Sequence, residues 1–177
     1  YPILAKVLAE PEKYQVQILY TRVEPDTTEP RLHYYHYQVD PNRYFYPAST
    51  VKLPLAALAL QWLAVQQKPL LTEDSIMLTD AARAPQTVAH QDPTAPPGLP
   101  SISHYIKKIL LVSDNDASNR LYELLGQEYI NQQLLQKGLS NTVINHRLSV
   151  PFSDDDNRYF NPVRFLKSRN EREENKF

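Results

Sequence analysis

Residues 53–65 read Leu-Pro-Leu-Ala-Ala-Leu-Ala-Leu-Gln-Trp-Leu-Ala-Val, apolar at every position but Gln61. A helix that is apolar on nearly every face must be covered on nearly every face, so the rest of the chain has to fold around this segment. Pro54 and Gln61 interrupt the run, which is too short to cross a bilayer, and a buried core helix is expected. With 177 residues, 42% of them hydrophobic, the chain can bury one core and is expected to form one domain. Lys52 stands at the mouth of this helix and carries the only charge between Arg43 and Lys68.

Several function classes drop out on composition. Lysine plus arginine number 19 against 20 acidic residues, and a net charge of -1 supplies no field to gather nucleic acid or anionic lipid. Without cysteine there is no disulfide framework and no thiolate chemistry, which fits a reducing or an oxidising compartment. Tyr1-Pro2-Ile3 has no charged leader region, so a water-soluble chain that has already lost any export signal is expected. There are 3 glycines, where average usage would give about a dozen, and no glycine-rich phosphate loop or metal-binding cysteine pair is present. His33 and His36 fall on a predicted strand, three apart and so on opposite faces, which argues against a shared metal.

Along the chain, Ile3, Leu4, Val7 and Leu8 keep helical spacing before Pro11, and residues 14–20 then alternate like a strand with one wet face. Turn-forming residues occupy 24–30, and 32–39 resume the aromatic and β-branched pattern, predicting an antiparallel hairpin with a long connection. Residues 55–66 form the apolar helix. Residues 80–100 carry five prolines and little periodicity, so an extended surface loop is predicted. Residues 101–112 are helical in pattern and Ser113-Asp114-Asn115 breaks them. Residues 117–125 resume a helix that Gly126 can cap, and 128–137 form another, closed by Gly138. Residues 153–157 read as a loop, Asn161-Pro162 as the start of a short helix, and 167–176 as a mixed-charge tail.

Ser49 and Lys52 form S-x-x-K, an i, i+3 pair that puts a hydroxyl and an amine on one helical face. Serine is a weak nucleophile until a base takes its proton, and lysine is such a base only when its pKa is lowered. Burial lowers it by disfavouring the ammonium, and the positive end of the helix dipole works in the same direction. Taken alone, Ser49 also fits an ordinary N-cap. The tripeptide Ser113-Asp114-Asn115 offers a proton relay, a structural anchor and an amide donor, or else a solvated turn in which Asp114 caps the next helix.

In order and separation, S-x-x-K followed by S-D-N resembles the class A β-lactamase and penicillin-binding-protein superfamily of serine hydrolases. The likeness covers most of residues 1–166, through an N-terminal helix, a hairpin, the run Tyr44-Phe45-Tyr46-Pro47-Ala48-Ser49-Thr50-Val51-Lys52 and an apolar helix. It implies an α+β fold, an antiparallel sheet with flanking helices plus an all-helical lobe, with Ser49 at their junction. The expected divisions are helix and hairpin over 1–48, helical lobe over 49–148, and loop and charged tail over 149–177. By the same resemblance Ser49 is the acylated nucleophile, Lys52 its base, Ser113 the proton shuttle, Asn115 a ligand for the substrate's acyl amide, and Asp114 structural. No metal or organic cofactor is implied. The implied substrate is a small molecule or peptide, and the implied location is periplasmic or lipid-anchored.

The chain departs from the superfamily in three places. The family's third motif, lysine or histidine, then threonine or serine, then glycine, is nowhere in this sequence, and Lys137-Gly138 does not supply it. Half of the oxyanion hole would come from that strand, so the remaining sheet strands are expected beyond Phe177 and the domain is expected to be incomplete. Where β-lactamases carry a glutamate that activates the deacylating water, residues 146–151 hold no acid; Asp154, Asp155 and Asp156 nearby read as a solvated turn. An acyl-enzyme formed here is therefore expected to be long-lived. The third departure is the proline-rich loop, which suggests a cleft rim of its own. A true β-lactamase that takes its base from elsewhere, a binding or scaffold protein that keeps the fold and the serine without turnover, and an unrelated α+β domain remain the alternatives.

Overall fold

The computed structural model describes residues 1–25, 29–96, 98–166 and the backbone of 175–176. Two compact units emerge, Tyr1–Tyr46 and Pro47–Phe177.

The first unit opens with α1 (Pro2–Ala9), whose proline lies in the first turn, where its missing N–H costs nothing. Turns carry the chain through residues 11–15, with Val16 N–H donating to the Pro11 carbonyl at 2.9 Å. The expected first strand consequently starts later, as β1 (Ile18–Glu24), and pairs antiparallel with β2 (Arg31–Tyr37) in a register running from Ile18↔Tyr37 to Glu24↔Arg31. Tyr20 and Tyr35 are directly opposed with ring centroids 5.9 Å apart, the kind of cross-strand aromatic pair that stabilises a ribbon. The connecting turn includes Asp26, Thr27 and Thr28, which lie outside the described residues. His33 pairs with Glu24 at 3.1 Å.

In the second unit, α2 (Lys52–Val65) sits among α3 (Ile102–Val112), α4 (Asn115–Leu125) and α5 (Gln127–Gln136). Its Leu55, Leu58 and Ala59 join Ile102, Tyr105 and Ile109 of α3, Leu121 and Tyr122 of α4 and Ile130 and Leu134 of α5 in one buried cluster. A three-stranded antiparallel sheet closes one side of it: β3 (Ile76–Thr79), then β4 (Val163–Leu166), then β5 (Asn175–Lys176). Met77 and Phe165 point into the cluster, and Trp62 stacks on Phe165 at 6.0 Å. The whole is α+β, with small antiparallel sheets and packed helices.

Several expectations need correction. The apolar helix is not covered all round. Its neighbours reach the stripe 55, 58, 59, 62, while Leu53, Leu60 and Val65 stay 64%, 46% and 60% exposed. It is also longer than the apolar run suggests. A 3₁₀ turn (Ala48–Val51) precedes it, and Ala48–Val65 is 18 residues of mean hydropathy 1.4, enough by length and composition alone to cross a membrane. Its buried stripe nevertheless packs on three other helices, as that of a core helix does. Residues 153–157 are not a loop: Ser153 and Asp156 form a capping box that starts α6 (Asp154–Arg158). Asn161-Pro162 starts no helix, since residues 163–166 alternate buried and half-buried and pair with β3. The stretch 49–148 includes a strand, β3, among its helices. Most of the mixed-charge tail, residues 167–174 and 177, lies outside the described residues.

The proline-rich loop does not simply run over the surface. Ala89 bridges back to Thr79, and Asp92 is buried, accepting hydrogen bonds from the Thr94 hydroxyl and N–H and from Lys108 of α3.

Candidate active site

Ser49 lies exposed in the 3₁₀ turn, and Lys52, three residues on, begins α2 and is 2% exposed. Burial of an ammonium demands partners. The loop between α3 and α4 provides them: Lys52 Nζ donates to the Ser113 carbonyl, to Ser113 Oγ at 3.0 Å and to Asn115 Oδ1 at 2.6 Å. Three donors thus meet three acceptors. The helix-breaking tripeptide makes this possible. Ser113 caps α3 in the left-handed conformation (φ 54, ψ 41), which turns the chain sharply and aims both of its oxygens at Lys52. Asp114 is the N-cap of α4, accepting from Ala117 N–H at 2.8 Å, and Asn115 is the first residue of that helix.

Burial lowers the pKa of Lys52 below the ordinary lysine value, and the negative charge of Asp114 works against that shift. Asp114 pairs in turn with Lys108 at 3.4 Å, and Lys108 with Asp92 at 3.1 Å. Burial pushes Asp92 up, yet the hydrogen bonds from Thr94 and Lys108 outweigh it and hold the carboxyl at about 2. A line of alternating charge therefore runs from the proline-rich loop to the site.

One expected contact is missing. The i, i+3 spacing suggests that Ser49 and Lys52 meet, but all three donors of Lys52 go to residues 113 and 115. Among the described residues no hydrogen bond joins them to the Ser49 hydroxyl. Backbone strain concentrates here instead. Of the six non-glycine residues with positive φ among the described residues, Ala48 precedes Ser49, Ser113 is in the site, and Ser149 accepts from Asn115 Nδ2 at 2.8 Å. Such conformations persist where surrounding structure over-determines them, and they gather at functional sites.

The sequence matches the Beta-lactamase enzyme family (Beta-lactamase2) over residues 3–176, nearly end to end. This chain belongs to the β-lactamase enzyme family. Comparison with curated proteins gave no match.

In this β-lactamase-family chain the loop after α5 hangs on α4 by buried polar groups. Arg147, 3% exposed, donates Nε to Glu123 Oε1 at 2.8 Å and its other nitrogens to the carbonyls of Asp156 and Tyr159. Glu123 also pairs with Arg120 at 3.0 Å, and Arg120 holds the Thr87 carbonyl and hydroxyl of the proline-rich loop. Burial raises the Glu123 pKa against the pull of both guanidiniums. The acidic run is engaged elsewhere: Asp156 binds Ser153, Arg83 lies 3.4 Å from Asp156 and 4.0 Å from Asp155, and Asp154 borders a cleft with Gln127 and Asn131. Among the described residues no group of three or more histidines or acids is placed to hold a metal. Sequence reasoning missed Ser149, Lys108 and Asp92. No local motif marks them, and only the acid-free stretch 146–151 drew attention near one of them.

Proposed function

We propose that this chain forms an acyl-enzyme at Ser49 on an amide or ester substrate, with Lys52 as base, Ser113 as proton shuttle and Asn115 as ligand for the acyl amide. The observation that carries this reading is the buried Lys52 ammonium, whose partners are the first and third residues of Ser113-Asp114-Asn115. Two motifs distant in the chain share one amine. On deprotonation Lys52 gives up one of its three donors and gains a lone pair, which takes the proton of the Ser49 hydroxyl as Oγ attacks the acyl carbon. That proton passes through Ser113 to the leaving nitrogen or oxygen as the acyl bond breaks, which returns Lys52 to the neutral amine and leaves an ester on Ser49. Asp114 holds the α4 cap and does no chemistry.

The ester should then persist. Residues 146–151 hold no acid, Asp155 and Asp156 lie against Arg83, and Asp154 lines a cleft with Gln127 and Asn131. Cell-wall peptide and β-lactams are the substrate classes this reading favours, and it puts the protein outside the inner membrane, where wall peptide is found. Intact-mass spectrometry after exposure to a penicillin tests it. A stoichiometric adduct that lasts for hours and is lost in Ser49→Ala is the expected result. Rapid turnover of nitrocefin would instead make the chain a hydrolytic β-lactamase. The Ser49 hydroxyl, which makes no hydrogen bond among the described residues, favours a second reading, a binding protein without turnover, for which saturable binding with no adduct would be the evidence.

A further inference from the structure

We infer that Ser149 is a positioning residue that fixes the Asn115 carboxamide in the site, an inference that rests on the proposed function for its catalytic consequence. Asn115, Asn119 and Glu123 lie at i, i+4 and i+8, along one stripe of α4. They meet residues 149, 148 and 147 in reverse order. Asn115 Nδ2 donates to Ser149 Oγ at 2.8 Å; Asn119 binds both the N–H and the carbonyl of Leu148, at 2.7 and 2.9 Å; Glu123 accepts from Arg147 Nε at 2.8 Å. Leu148 is thus held at both its N–H and its carbonyl, and Ser149 adopts φ 57, a conformation unfavourable for a residue with a Cβ. What that conformation delivers is a hydroxyl at the end of the Asn115 side chain.

An asparagine amide turns easily about its terminal torsion, whose preference is broad and roughly two-fold. A single hydrogen bond leaves it free to swing. Lys52 holds the oxygen end and Ser149 the nitrogen end, so the amide plane is fixed from both sides and the second Nδ2 hydrogen remains to donate outward. Without the Ser149 oxygen the lysine bond alone would remain among the described residues, and the free hydrogen would lose its direction.

Two variants separate the hydroxyl from the backbone. Ser149→Ala removes the oxygen and keeps the strain, whereas Ser149→Gly removes the oxygen at a φ that glycine adopts readily. In ¹⁵N-labelled full chain, the Asn115 side-chain amide pair, identified by its disappearance in Asn115→Asp, should shift in both variants alike. Acylation by penicillin should slow about tenfold in both, the weight of one hydrogen bond, while labelling by a fluorophosphonate, which presents no acyl amide, should not change. An unmoved amide pair in both variants would overturn the inference, as would a shift in Ser149→Ala alone. If the pair moves while wild-type protein takes no penicillin, the positioning role stands and the acyl-enzyme reading falls.

Discussion

Lys52 is an amine whose surroundings pull in two directions. Burial disfavours its charge, Asp114 favours it, and burial prevails. Because the neutral amine is the base, labelling of Ser49 by a fluorophosphonate should rise with pH through a midpoint below the ordinary lysine value. Asp114→Asn keeps an equally good helix cap but removes the opposing charge, so the rising limb should move to lower pH. A limb that stays in place, measured by labelling rate against pH, would break the link between Asp114 and Lys52. The sign for stability follows from the same shift. Between the lowered pKa and the ordinary lysine value the unfolded chain binds more protons, so folding stability rises with pH across that window. Both motifs were legible as residue types at suggestive spacing. That the amine's hydrogen bonds go to Ser113 and Asn115 was not, because it depends on a left-handed serine and on burial, which spacing does not encode.

Among the elements, α4 organises the second unit. Its apolar residues, Ala117, Leu121, Tyr122 and Leu125, enter the core, and its polar stripe collects the loop after α5. Glu123 lies between Arg120 and Arg147, all three buried, so the cost of taking these charges out of water offsets much of their mutual attraction. Glu123→Ala would strip Arg147 of its carboxylate and leave Arg120 to Asp116, 3.1 Å away, and should cost about 3–5 kcal/mol in chemical denaturation. A loss below about 1 kcal/mol would mean that the arginines find other acceptors. No motif in the sequence marks Arg120 and Glu123 as buried, and their burial becomes visible only when Arg147 arrives from the far loop. Periodicity was a good guide to α3, α4, α5 and the hairpin. It failed at β3 and β4, four residues each, too short for a two-residue period to stand out, and at α6, where the capping box decides.

At the scale of the whole molecule, a chain of balanced charge and few glycines folds as α+β and belongs to the β-lactamase enzyme family. Its resemblance to serine hydrolases was legible from two short motifs and the order of elements around them, and the family match over residues 3–176 agrees with it. Whether the site is chemically live turns on Ser49. The measurement to make is the intact mass of the protein after exposure to a fluorophosphonate, in wild type, Ser49→Ala and Lys52→Met. One adduct per chain in wild type, none in Ser49→Ala and a rate at least about a hundredfold lower in Lys52→Met, as expected when general-base catalysis is lost, is the outcome that the buried amine requires. Wild-type protein that stays unlabelled, or labelling that survives Ser49→Ala, would contradict it.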